Sequence, residues 1–220
     1  LHADDRVHPG FYDAMESAFA THPDAGAFFC ESLYVNEAGR VTGRTGLEQG
    51  QTGILENWLE KIFVQQRIQT PSIVMRREVY ERLGGFDRRL DMFEDWEMWI
   101  RAAASFPFGF LPEALADYRV SPSANSSRTA IAGLRGAALR HLIQIVDAYL
   151  PAALVARCSA ERDRAMAQYM IQFIPAMMKA NRYSAVARNC RDALGFSRDP
   201  RTVYRMVNYV LKWKRLVRHD

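Results

Sequence analysis

Near Ser121-Pro122-Ser123-Ala124-Asn125-Ser126-Ser127 the hydrophobic pattern of this chain changes period. Upstream, short apolar runs are separated by Gly, Pro and Asn, as strands and short helices joined by turns would be. Downstream, the chain is rich in alanine and its apolar residues recur at helical spacing. The change predicts two parts, a mixed α/β region over residues 1–125 and an α-helical region over 126–220. With 220 residues, 49% of them hydrophobic and 25% charged, the chain has material for a substantial core and is neither disordered, collagen-like nor a coiled coil.

Within the first part, Leu1 to Asp5 reads as the exit of a strand, followed by a helix from near Pro9, a residue favoured at a first helical position. Ala25 to Val35 predicts a strand that ends at the turn Asn36-Glu37-Ala38-Gly39. Ile54 to Gln66 reads as a helix, Ser72 to Met75 as a short strand, and Arg77 to Leu83 as a helix stopped by Gly84-Gly85, with Phe86 packing back on it. Trp96, Trp99, Ile100 and Ala103 share one face of a helix over Glu94 to Ala104, with Glu97 and Arg101 pairing on another. Leu115 to Ser121 reads as a strand. Helices are then expected near Thr129 to Tyr149, Ala160 to Ala180, Ser184 to Leu194 and Asp199 to Val217.

Three cysteines, Cys30, Cys158 and Cys190, are odd in number and widely spaced, so neither a disulfide framework nor a zinc site is implied and a reducing compartment, the cytoplasm, is expected. The histidines lack ligand spacing. No run of about 18 apolar residues exists, and Leu1-His2-Ala3-Asp4-Asp5 lacks a signal-peptide pattern. The absence of an initiator Met hints at a piece of a longer protein. Net charge is +4, but Arg198 to Asp220 holds seven Lys/Arg against two Asp, a local +5 that leaves −1 for the rest. The basic balance therefore reports a tail and not a nucleic-acid surface.

Two acidic pairs carry candidate chemistry. Asp4-Asp5 at a strand end suits Mg²⁺ or Mn²⁺, which take oxygen ligands and leave room for phosphate oxygens; a solvated turn is the other reading. Glu94-Asp95 opens a Trp-rich helix after a double-glycine turn. An acid there gains from the helix dipole whatever its role, yet beside two tryptophans it also suits the rim of a sugar-sized cleft, where partial desolvation makes a better general base. Arg119 reads either as a contact to a phosphate or as a buried strand-end ion pair.

The ordered set His2-Ala3-Asp4-Asp5-Arg6-Val7-His8-Pro9-Gly10-Phe11-Tyr12, Arg77-Glu78-Val79-Tyr80-Glu81-Arg82-Leu83-Gly84-Gly85-Phe86-Asp87, Glu94-Asp95-Trp96-Glu97-Met98-Trp99-Ile100-Arg101 and Tyr118-Arg119-Val120 resembles family 2 glycosyltransferases, inverting enzymes with a GT-A fold. The resemblance covers residues 1 to about 125. It implies a GT-A-like, Rossmann-like partial domain followed by an α-helical C-terminal region. Asp4 and Asp5 are similar to the family's DXD-type motif, with Asp5 as ligand of Mg²⁺ or Mn²⁺ and Asp4 near the donor's ribose or sugar. Asp95 is similar to the general base of the family's ED motif, with Glu94 beside it in the acceptor site. Trp96 lines the acceptor cleft or, by its spacing with Trp99, the core.

The resemblance further implies a nucleotide-sugar donor, a saccharide or lipid-linked acceptor, and a role in cell-surface polysaccharide or glycolipid assembly. One direct displacement would invert the anomeric centre with no covalent sugar intermediate. The chain departs from the pattern at His2, where the commonest motif has an acid, and at Ser121, where a histidine often follows Tyr-Arg, so fewer protein ligands to the metal are expected. The family's nucleotide-binding first half would precede Leu1. The 220-residue chain is accordingly expected to expose apolar sheet edges and to show no transfer by itself.

The last helix carries Arg201, Arg205, Asn208, Lys212 and Arg215 on one stripe and Val203, Val207, Val210, Trp213 and Val217 on another. A solvated face over a bundle core explains this, as does peripheral attachment to the inner face of a membrane. Two other functions stay open: a phosphoester hydrolase on Asp4, Asp5, Glu94 and Asp95, and a non-catalytic helical interaction module carrying a remnant glycosyltransferase domain.

Overall fold

The computed structural model describes residues 3–121 and 124–216, with the side chains of residues 125, 126 and 212–216 outside that description. It divides into two compact units, one of Leu1–Arg89 with Glu94–Ser121 and the other of Leu90–Phe93 with Pro122–Asp220.

The first unit is a mixed α/β layer structure. Two long strands, β2 (Ala27–Val35) and β6 (Phe108–Arg119), run parallel through its centre. Each is flanked by two short antiparallel strands. On β6 these are β1 (Arg6–Val7) and β4 (Gly53–Ile54); on β2 they are β3 (Val41–Arg44) and β5 (Ile73–Met75). Side chains alternate across the sheet. Phe28 and Cys30 pack with Phe11, Met15 and Ala18 of α1 (Phe11–Thr21). On the other face Phe29 meets Phe110 at 5.0 Å and Trp58 of α2 (Trp58–Val64) at 4.9 Å. The helices α3 (Arg77–Leu83) and α4 (Glu94–Ala103) complete the unit. Gly109 stands opposite Phe28 in register, and a Cβ there would lie 2.0 Å from the Phe28 ring, so glycine is what lets the aromatic lie across the neighbouring strand.

Several boundaries differ from the sequence reading for local reasons. Ala3 and Asp4 form a turn, Asp5 is irregular, and the strand begins at Arg6, after the acidic pair; Leu1 and His2 lie outside the described residues. The helix expected from Pro9 starts at Phe11 because Gly10 takes φ 83°. Only Trp58–Val64 of the Ile54 to Gln66 stretch is helical, since Asn57 takes φ 53° and Gly53-Ile54 pairs with β6. The strand expected from Leu115 begins at Phe108. Pro112 and Glu113, the extra residues between Leu111, paired with Cys30, and Ala114, paired with Glu31, form a bulge. Such a bulge admits proline in an interior strand.

In the helical unit the stretch read as Thr129 to Tyr149 is α5 (Asn125–Ile131) and α6 (Arg135–Tyr149), parted at Gly133 with φ 70°. The stretch read as Ala160 to Ala180 begins earlier, after Pro151, as α7 (Ala152–Ile171), and breaks before α8 (Ile174–Lys179). Then come α9 (Tyr183–Phe196) and α10 (Pro200–Leu216). Leu139, Leu142, Val146, Met166, Met170 and Ile174 are buried between them. The Met170 carbonyl, in the last turn of α7, accepts from Asn189 Nδ2 at 2.7 Å, which satisfies a group the helix end would orphan. No helix among the described residues is long and apolar enough to cross a membrane.

Candidate functional site

The acidic pair sits on the turn that leads into β1, and β6 holds that turn from two positions on one face. The Arg119 amide donates to Asp5 Oδ1 at 2.8 Å, while its Nε donates to the Asp4 carbonyl at 2.9 Å. The same guanidinium donates through Nη1 to the carbonyls of Asn36 at 2.8 Å and Glu37 at 3.3 Å, in the turn after β2. The half-buried Arg119 guanidinium therefore binds backbone carbonyls, where the sequence offered a phosphate contact or a strand-end ion pair. Asp4 is exposed and Asp5 half-buried.

Two residues earlier on β6, Asp117 is 1% exposed. Its carboxylate accepts from Arg6 Nε, and His8 Nε2 lies 2.8 Å from its other oxygen. Burial pushes this carboxyl up, but the hydrogen bonds from Arg6 and His8 outweigh burial and leave it below the usual carboxylate range. Residues 117 and 119 thus pin Asp4, Asp5, Arg6 and His8 as one piece.

The second acidic pair opens α4. Phe93 turns the chain into this helix at φ 66°, a backbone region that side chains other than glycine rarely adopt. Asp95 Oδ1 accepts from the Trp96 amide at 2.7 Å, and Oδ2 from Gln66 Nε2 at 3.2 Å and the Thr70 hydroxyl at 3.5 Å. Glu94 is half-buried beside it. Of the two places open to Trp96, the structure shows the core: it is 4% exposed and its Nε1 donates to the Ile62 carbonyl at 2.6 Å, tying α4 to α2. Glu97, 1% exposed, pairs with Arg101 at 2.9 Å, and Arg101 in turn donates to the carbonyls of Leu83 and Gly85. The double-glycine turn is thereby fixed to the helix that carries Asp95.

The segment that holds Asp95 reaches the carboxyl end of β2, the end at which open α/β sheets bind ligands. Gln66 and Thr70 contact Asp95, and Gln69, in the same segment, donates from Nε2 to the Tyr34 hydroxyl at 3.3 Å. Tyr34 is the register partner of Tyr118, whose ring lies 6.1 Å away, and Tyr118 precedes Arg119. Burial, with Tyr118 close by, raises the Tyr34 hydroxyl above its ordinary pKa, so it stays protonated. Gln66, Gln69 and Tyr34 escaped the sequence reading as site residues because amides in a loop between a helix and a strand, and a tyrosine within a strand, carry no motif. An apolar groove of ≈ 760 Å³ between α9 and α10, lined by Cys190, Leu194, Val203 and Met206 among others, contains none of the candidate residues.

Among the described residues no group of three or more His, Cys, Asp or Glu could by itself hold a metal ion. The carboxylates here that a magnesium-like ion could use, since it takes one or two and shares the rest of its shell with a diphosphate and water, are exposed Asp4 and Asp5, whose Oδ1 accepts from an amide and whose Oδ2 is buried. They do not make a closed protein cage.

No protein-family model matches the chain. Over 118 aligned positions, 44% of this chain, it is 31% identical to the O-antigen biosynthesis protein RfbC of Myxococcus xanthus. The matched stretch spans 9% of that protein's length.

Proposed function

We propose that this chain carries part of an inverting, GT-A type family 2 glycosyltransferase that moves a sugar from a nucleoside-diphosphate donor to an acceptor hydroxyl in polysaccharide assembly. The observation that carries this reading is a braced acidic turn at the carboxyl end of β6 together with a carboxylate, fixed at a helix start, whose supporting loop reaches the carboxyl end of β2. Similarity to an O-antigen biosynthesis protein supports the polysaccharide context.

In this reading Asp95 takes the acceptor proton as the acceptor oxygen bonds to the anomeric carbon and the bond from that carbon to the diphosphate oxygen breaks. Attack and departure occupy opposite faces of one carbon, so configuration inverts. Asp5, with Asp4 beside it, would hold a divalent ion, which when bound neutralises charge on the diphosphate leaving group. The chain's own part on that side is to keep the acidic turn in one geometry, through Arg119 and Asp117, before donor arrives.

The test uses the gene product that contains this chain, a panel of nucleoside-diphosphate sugars and Mn²⁺. Transfer with inversion, reduced about 10²–10⁴-fold by Asp95→Asn as expected for loss of a general base, supports the reading. Full activity of Asp95→Asn refutes it.

A further inference from the structure

The loop joining α2 to β5 is anchored along its length. Ile68 is 1% exposed in the core, Arg67 pairs with Glu48 at 2.7 Å, and the Gln69 carbonyl accepts from both Ser72 N at 2.9 Å and Ser72 Oγ at 2.8 Å. This frame fixes the amide of Gln66. Its Oε1 accepts from Arg67 N at 3.1 Å and Ile68 N at 3.5 Å, which turns its NH₂ end toward Asp95 Oδ2, 3.2 Å away. The assignment of oxygen and nitrogen in this amide follows from those two backbone donors.

We propose that Gln66 is a positioning residue for Asp95, holding the carboxylate in the plane from which it takes the acceptor proton. The proposal rests on the glycosyltransferase reading above. Asp95 Oδ1 accepts from the adjacent Trp96 amide, and the contact from Gln66 to Oδ2, seconded by Thr70, fixes the second oxygen. A base held in a productive orientation spares the transition state the entropy of finding it. The amide also donates to the charged form of the carboxylate. The other charged groups on these elements and on α2, which packs against α4, are Glu94 and the Glu97–Arg101 pair on α4, the Arg67–Glu48 pair beside the loop, and Glu60 and Lys61 on α2. Substituting Gln66 alters the charge of none of them.

Two measurements test this. In the 220-residue chain, the Asp95 side-chain carboxyl is titrated by ¹³C NMR. Gln66→Leu is expected to raise its midpoint by about half a unit or more, as loss of a donor to the charged form requires. An unchanged midpoint in a folded variant overturns the proposal. In the gene product that contains the chain, Gln66→Leu is expected to lower kcat about tenfold or more with donor KM within about twofold, and to move the acid limb of the kcat/KM profile upward. Gln66→Asn, which keeps an amide on a shorter arm, should recover part of kcat.

An equal fall in kcat and rise in KM with no movement of the acid limb would mark a merely structural residue and overturn the proposal. Asp95→Asn separates the two ideas. If it retains full activity, the glycosyltransferase reading fails and this assignment with it; if it is inactive while Gln66→Leu keeps the wild-type profile, only the positioning role fails.

Discussion

Asp117 and Cys30 show how far the fold moves the chemistry of single residues. Cys30, buried against α1, has its thiol pushed up to about 12, which makes it a small core side chain and not a nucleophile. Asp117 moves the other way, because Arg6 and His8 favour its charged form more than burial opposes it. A carboxyl depressed in the folded state adds stability above its ordinary value of 3.8, and that contribution is lost as pH falls through the lower folded value. Asp117→Asn is therefore expected to cost about 1–3 kcal/mol at pH 7, the penalty of leaving buried donors poorly matched, and less at pH 3, which lies below the ordinary value. Urea unfolding at the two pH values checks this; an equal loss at both would deny the clamp. None of it was legible in the sequence. Asp117 looked like one polar residue in a strand, and its partners lie more than a hundred positions away. Asp95 stood out as a candidate, because its motif is local, but its contact with Gln66 did not.

At the scale of elements, the sequence read best where local chemistry decides the boundary. Helix α3 spans Arg77–Leu83 as expected, and Gly84 takes φ 82° to end it. Strands β3 and β4 were missed because a strand this short is made by its neighbour, through pairing with β2 and β6, and not by its own pattern. Helix α10 was expected to be amphipathic, and it carries Tyr204, Val207 and Leu211 exposed at i, i+3 and i+7 beside exposed Arg201 and Arg205. The basic residues Lys212, Lys214 and Arg215 follow in sequence, with side chains outside the described set. An apolar stripe edged by cations matches an anionic membrane surface, our proposal for this face. Flotation with phosphatidylglycerol vesicles is expected to carry the chain upward at low salt and to fail after Lys212, Lys214 and Arg215 are changed to Gln; flotation indifferent to those changes would refute it.

For the whole molecule, the boundary near Ser121 was visible as a change of period, but one part of the division was not. Leu90–Phe93 lies within the α/β stretch of the sequence, yet belongs to the helical unit. There the Phe93 ring lies 6.1 Å from Tyr169, with the Arg135 guanidinium 5.8 Å above it. A chain ending at Ser121 removes both partners. It is expected to bind more of a hydrophobic dye such as ANS per molecule than the 220-residue chain, and equal binding would contradict this division. The sequence by itself determined what near neighbours can settle: the change of period, the turns at Gly39 and Gly84, the amphipathic helices and the two acidic pairs. Those follow from backbone preference and side-chain spacing within a few residues. Tertiary structure alone decided the parallel pairing of β2 with β6, the bulge at Pro112, the grip of Arg119 and Asp117 on the acidic turn, and the hold of Gln66 on Asp95. Each of these depends on contacts between distant positions, fixed by burial and by the hydrogen bonds that buried polar groups require, and no local pattern encodes it.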